Sequence, residues 1–535
     1  MKKPLAIMLA LMMALCVAPA TAFAEAEPTT SQASKTTPEQ PKLDEFVSKS
    51  KTATNLDANY VSEVTLSLPS AEEKLASDVV FVLDKSTSAA LEDAALKMLK
   101  DLKAHVKNTG AAVKVGVVIF NKTANVVAGL TNLDDAGYTE IEKAIKTEVK
   151  SGTNTHAGLL AGKKMLDDDQ YVDADRKYLI FVSDGITYIF NENPTAVAWR
   201  FGKKDKDNWA SPDNWELKYG NNNPPDDWDT RLNEVGTQIN TQGVEYEYAY
   251  KGTPTKETPL DKKTVYANSV DKALYLTKQV YEEAKKAGYN CYAMAAEGDG
   301  GKSYLWGPSF MSYLAGDKKV TFEQIENDIL YLVDAGSTVI DTMGKTADYD
   351  FDFISSAADI SLNVGEKAYT ASAKTEGLNA NETARYLFTS DGVTAANGSE
   401  APFVLHYYAK GADGAGGECF VWDINVPVTN FARVKLTYKV KLTNPKTAPG
   451  TYGAYDWDGS RHYNELYTNN SAILKPVSNN VAGKEQEFNK PTVSYTVSGG
   501  HYHPDPTPVP PIIVNPPKTG DMTIWRSILN FLGIR

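Results

Sequence analysis

Val79-Val80-Phe81-Val82-Leu83-Asp84-Lys85-Ser86-Thr87-Ser88 joins an unbroken apolar run to an abrupt polar turn. An apolar run of this length, without alternation, suits a strand buried on both faces of a sheet. Val113–Phe120, Tyr178–Val182 and Tyr289–Ala296 have the same character. Between these runs, Leu91, Ala95, Met98, Leu99, Leu102 and Val106 fall on one helical face, as do Ile141, Ala144, Ile145 and Val149. Buried strands alternating with amphipathic helices predict an α/β doubly wound open sheet, mostly parallel, ending near Gly344.

Outward from this unit the pattern changes. Residues 187–263 hold no strong helical period, many turn formers, and Trp199, Trp209, Trp215 and Trp228. A structureless loop of that length does not fit a compact domain, so the segment reads as an inserted subdomain. Its tryptophans read better as a small core of the insert than as a sugar-stacking surface. Beyond residue 350 the period becomes two: Val434, Leu436, Tyr438, Val440 and Leu442 alternate with polar residues, and Val493, Tyr495 and Val497 repeat the pattern. Residues 346–498 therefore predict a β-sandwich, and the alternating β segment within 46–76 is expected to pair with it. Residues 499–521 form a Pro-rich stalk, in which His501 and His503 are not read as ligands.

Composition narrows the function. The 535 residues carry a formal net charge of −13, which argues against a nucleic-acid partner. Lys2, Lys3, the apolar run to Ala18 and Ala22-Phe23-Ala24 give residues 1–24 the form of an export signal, followed by a flexible spacer over 25–45. Removal of that signal takes Cys16 with it, leaving Cys291 and Cys419, one in each predicted domain, as free thiols. Ala296–Ser303 nearly matches a phosphate-binding loop, but Ala296 replaces the first Gly and Tyr304–Pro308 does not read as a helix start.

One constellation carries chemistry. Asp84, Ser86 and Ser88 lie in the turn after the first buried strand, Thr153 precedes a helix, and Asp184 ends a third strand. These are the positions at which open α/β sheets place their ligands. Two carboxylates and three hydroxyls make a hard-oxygen set suited to Mg²⁺, with Mn²⁺ or Ca²⁺ as alternatives. The competing reading of Ser88 alone is a helix N-cap ahead of Leu91.

At these residues the sequence resembles the von Willebrand factor A-type domain with its metal-ion-dependent adhesion site. The resemblance covers about residues 77–345, apart from the insertion. It implies that Ser86 and Ser88 coordinate the metal directly, and that Asp84, Thr153 and Asp184 do so directly or through water. It also implies an open position for a partner's carboxylate, and a binding module in place of an enzyme. The insertion after Asp184 resembles the arms of Gram-positive pilus-tip adhesins. Pro516-Pro517-Lys518-Thr519-Gly520 resembles a sortase sorting motif with Pro516 where Leu is usual, which implies sortase and pilin partners. The tail at 522–535 is too short to span a bilayer and reads equally as an amphipathic interfacial helix. Pilin-type β-domains carry Lys–Asn isopeptide bonds, for which Lys49 or Lys51 and Asn470 are the candidates, against a surface Lys and a turn Asn.

The expectation is a secreted, wall-anchored adhesin whose metal site grips an acidic side chain on a host or neighbouring-cell protein. A structural pilus or wall component with a stabilising metal is the main alternative. A glycan-active enzyme using Asp184 is the weakest reading, because sequence alone sets no carboxylate spacing.

Overall fold

A computed structural model describes residues 46–498 apart from 86–89, 108, 110, 150–151, 188, 195, 199–222, 244–246, 250–264, 268–269, 297–303, 317–320, 415, 458 and 460–464. The predicted export signal, spacer, stalk, sorting residues 516–520 and tail lie outside the described residues.

Strand Ala76–Asp84 is buried along its whole length and forms the centre of a five-stranded sheet. Across the sheet the order is Asn290–Ala295, Lys177–Ser183, Ala76–Asp84, Ala112–Phe120 and Ala124–Asn132. The first four strands run parallel and the last is antiparallel. Alternate residues of the central strand feed two cores. Val79, Phe81 and Leu83 pack beneath helices Ala90–Val106, Asp135–Ile145 and Phe322–Leu330. Val80 and Val82 pack beneath Thr155–Asp168, Asp271–Lys286 and Trp306–Leu314. This double cover is why the strands show no alternation in sequence. The chain leaves the central strand toward Ala112–Phe120 and later returns on its other side at Lys177–Ser183. The order therefore reverses between Ala76–Asp84 and Lys177–Ser183, and such a reversal opens a crevice at the strands' carboxyl ends.

The β-rich domain is built from both sides of this unit. Val61–Leu68 pairs antiparallel with Val434–Leu442 along its full length. Both belong to one twelve-stranded sheet, whose core includes Phe351, Phe388, Phe420, Trp422 and Tyr438. The expected boundary at residue 345 is displaced by this pairing. Ser337–Met343 lies between Cys419–Ile424 and Asn469–Lys475, so it is a strand of the β-rich domain. Its buried and half-buried residues alternate, the mark of an antiparallel strand with one covered face. Tyr331–Val333 already pairs with Val428–Thr429, and Val333 packs in the β-rich core, so the boundary falls after helix Phe322–Leu330. At the junction Arg176 pairs with Glu73 and donates to the carbonyl oxygens of Ala76 (2.9 Å) and Asn430 (2.7 Å).

The insertion also departs from expectation. It contains a helix, Trp228–Asn240, whose N-cap Asp227 accepts from the Asp229 and Thr230 amides. Ala196–Ala198, Glu247–Ala249 and Val265–Ala267 form a small sheet, so the insertion runs past residue 263. Trp228 is buried against helix Trp306–Leu314: its ring lies 5.2 Å from that of Phe310, and its Nε1 donates to Ser309 Oγ at 3.0 Å. It thus staples the insert to the main body, and is not part of a separate core. Trp199, Trp209 and Trp215 lie outside the described residues. Contrary to the sequence reading, a helix starts at Trp306, with Pro308 in its first turn, where a missing N–H breaks no intrahelical bond.

Candidate metal centre

Asp84 ends the central strand and is 1% exposed. Its Oδ2 accepts a 2.7 Å hydrogen bond from Ser183 Oγ, at the end of the neighbouring strand. Asp184 follows immediately, is 8% exposed, and accepts from the Ile186 amide at 2.9 Å through Oδ1. The two carboxylates therefore stand at the carboxyl ends of adjacent strands, where the sheet order reverses. Gly185 allows the turn: its φ is +77°, and a Cβ there would lie 2.1 Å from the Gly307 carbonyl oxygen. The first turn of helix Trp306–Leu314 thus closes directly on the Asp184 loop.

Thr153 is brought to the same place by its neighbours. Asn154 caps helix Thr155–Asp168 through its Oδ1, while its Nδ2 donates to the carbonyls of Lys122 (2.8 Å) and Asn191 (2.9 Å). The Ile189 amide donates to the Thr153 carbonyl at 3.2 Å. The 152–154 loop is in this way laced to the loops following two sheet strands. Gly152, at φ +90°, passes so close to Lys122 that a Cβ would meet its Cγ at 2.6 Å. Lys85 turns away from the centre, pairing with Glu92 and donating to the Ile145 carbonyl. Ser86 and Ser88 lie outside the described residues.

Electrostatics test whether these residues fit a cation. Burial, and then the adjacent Asp84 charge, push the Asp184 carboxyl up to about 7. Two carboxylates removed from water side by side disfavour each other's ionised form, and a divalent cation between them reverses that penalty. Among the described residues no three His, Cys, Asp or Glu side chains converge on one point. A site here must therefore complete its shell with hydroxyls and water, which is ordinary for Mg²⁺. The donor set fits. Ser183 and Asn154, which hold Asp84 and the Thr153 loop, were not singled out by sequence; the N-cap position of Asn154 ahead of a helix was the available signal.

The isopeptide candidates divide differently from expectation. Lys51 is fully buried and its Nζ lies 2.6 Å from Asp341 Oδ2, to which Tyr438 also donates at 2.6 Å. Burial pushes the Lys51 amine down and the Asp341 carboxyl up, toward neutral forms of both. Lys49 stands apart, donating to Val47 and Gln486. Asn470 is exposed, and its side chain bonds to both backbone groups of Lys345. The register slip between Thr342 and Met343 turns Asn469, and not Asn470, inward opposite Met343. Asn469 is fully buried, and among the described residues neither its Oδ1 nor its Nδ2 has a hydrogen-bond partner. Cys291 and Cys419 are both free thiols.

Residues 79–186 match the family model of the von Willebrand factor type A domain, and the α/β unit is a domain of that type. Among solved structures, the chain is similar to the three N-terminal domains of the type V pili tip protein from Porphyromonas gingivalis. That match has 14% identity and a TM-score of 0.31, over 84% of this chain and 77% of that one. It is also similar to the open conformation of the pilus adhesin SpaC from Lactobacillus rhamnosus GG, at 15% identity and a TM-score of 0.30. The pilus adhesin RrgA from Streptococcus pneumoniae matches at 12% identity and a TM-score of 0.26. These cover 83% of this chain each, but 47% of the SpaC chain and 65% of the RrgA chain. No curated protein matches.

Proposed function

We propose that this protein is a cell-surface adhesin that binds a protein ligand through a divalent cation held in the crevice of its A-type domain. The observation that carries the reading is the pairing of Asp84 and Asp184, both buried, at the carboxyl ends of adjacent strands where the sheet order reverses. Asp84, Asp184 and Thr153, with Ser86 and Ser88, would hold Mg²⁺, which supplies a Lewis-acidic position for a partner's carboxylate. Ser183 orients Asp84, Asn154 positions the Thr153 loop, and the Gly185–Gly307 contact fixes the approach to Asp184. A hydrolase reading has less support, because Asp84, the carboxylate beside Asp184, is almost wholly buried. Export and sortase anchoring through Pro516, Pro517, Lys518, Thr519 and Gly520 complete the proposal. The test is a binding screen against matrix and cell-surface proteins with and without Mg²⁺. Ligand capture lost with chelator and in Asp84→Ala supports it, and equal capture by wild type and Asp84→Ala overturns it.

The alternative, a load-bearing wall or pilus component, draws on the Lys51 site. There the proposed cross-link joins Lys51 to Asn469, in place of Asn470. The neutral Nζ attacks Asn469 Cγ, the Cγ–Nδ2 bond breaks, and Nδ2 leaves as ammonia while Asp341 passes the proton. An intact mass one ammonia below that of the mature sequence, restored in Lys51→Ala and in Asn469→Ala, is expected. A full-mass wild-type chain overturns it.

A further inference from the structure

A second cavity, in the β-rich domain and separate from the metal centre, has a volume of about 440 Å³. That lies within the range of small-molecule sites, which combine aromatic walls with a few convergent polar groups. Tyr349, Tyr452 and Tyr495 contribute aromatic surface, and Glu465, Lys446 and Asn444 contribute polar groups.

The aromatic wall is built, not incidental. Tyr452 and Tyr495 stack at 5.1 Å with their planes 27° apart. Each ring is anchored through its hydroxyl: Tyr452 Oη donates to the Ala448 carbonyl at 2.9 Å, and Tyr495 Oη accepts from the Lys446 amide at 2.6 Å. Rings fixed in this way offer contact area with little entropy left to lose. The polar part is incomplete: Glu465 Oε2 is buried and has no hydrogen-bond partner among the described residues. A buried acceptor without a donor is costly, and a ligand that donates to it recovers that cost.

Charge narrows the ligand class. The Glu465 oxygen accepts only, so it opposes an anion. Lys446 Nζ already sits 5.8 Å from the centre of the Tyr452 ring, which weakens that face for another cation. What remains is a neutral molecule with hydroxyls for Glu465, acceptors for Lys446 and Asn444, and C–H faces for the tyrosines. We propose that this cavity is a saccharide-binding site for a neutral sugar, one that needs no metal.

The experiment is titration of the full chain with glucose, galactose, N-acetylglucosamine and their disaccharides, read by saturation-transfer NMR and calorimetry. An N-acetylated lysine amide and sialic acid serve as the cationic and anionic probes. Binding of at least one neutral sugar is expected, weakened about tenfold in Glu465→Gln, which removes a hydrogen bond to a charged acceptor. Tyr452→Ala should abolish it, and chelation of divalent cations should leave it unchanged, which separates this site from the metal centre. Lys446→Ala, remote from the core, provides a further weakened variant if Tyr452→Ala fails to fold by its thermal transition. The proposal is overturned if no neutral sugar binds, if only the lysine amide or sialic acid binds, or if Glu465→Gln and Lys446→Ala both bind as wild type.

Discussion

The Lys51 amine and the Asp341 carboxylate meet at 2.6 Å in the core of the β-rich domain, although the whole A-type domain separates them in sequence. One residue precedes the insertion point and the other follows it. Their contact therefore closes the β-rich domain around the ends of its guest. Removing one partner leaves the other polar group buried without its hydrogen-bond partner. Asp341→Ala is expected to destabilise this domain by about 3–5 kcal/mol, and Lys51→Met with Asp341→Leu to regain most of the loss. Denaturant unfolding followed by domain-specific hydrogen exchange measures both; an Asp341→Ala chain as stable as wild type would show that the pair bears no load.

Gly185 tests the metal centre without touching a proposed ligand. An alanine there combines an unfavourable positive φ with a clash against the Gly307 carbonyl. The strain, about 1–3 kcal/mol, should be relieved by shifting the Asp184 loop. Mg²⁺ affinity, read by calorimetry, is expected to fall at least tenfold while the far-ultraviolet spectrum is retained.

Trp228 holds the insertion to helix Trp306–Leu314. Trp228→Ala removes a buried aromatic and leaves a cavity, at a cost of about 3–5 kcal/mol. Because the contact is local, the expected readout is faster amide exchange over residues 228–240 and 306–314, with the central sheet still protected.

The β-rich domain also carries a charge network with a defined pH window. His406 Nδ1 lies 2.7 Å from Glu382 and its Nε2 lies 3.2 Å from Asp423, while Arg385 pairs with both Glu382 and Glu400. Burial opposes the imidazolium, but hydrogen bonds to Asp423 and Glu382 outweigh it and raise the His406 pKa above 6.5. That contribution is complete below 6.5 and fades as pH rises through the higher folded value. Burial likewise opposes the Glu382 carboxylate, but Arg385, the Asn379 amide and His406 hold it down at about 2. Its contribution is complete above 4.5 and is lost as pH falls toward 2. Thermal transitions should therefore peak between these limits, and His406→Gln should flatten the decline on the alkaline side. An unchanged alkaline limb would remove His406 from the network.

The α/β unit was largely legible because its strands are buried on both faces, which writes continuous apolar runs into the chain. The strand Ser337–Met343 was not, since its alternation over so short a length was overshadowed by the apolar helix before it and the glycine after it. Asp84, Thr153 and Asp184 were readable from their position at strand and helix ends. Which of Asn469 and Asn470 faces inward was not legible, because a register slip against Met343 sets it, and such slips follow from pairing with a distant strand.

By itself, then, the sequence determined the class of the central domain, the chemistry of its candidate metal ligands and the change of period that marks a second domain. All three follow from local spacing, either 3.6 or two residues per repeat, or from residues adjacent in the chain. Only the tertiary structure decided that the A-type domain sits between two parts of one β-rich domain. It also decided that Lys51 faces Asp341, that Trp228 staples the insert, and that tyrosines from separate strands enclose a cavity with Glu465. Those relationships join residues far apart in sequence, and burial on pairing is what fixes them.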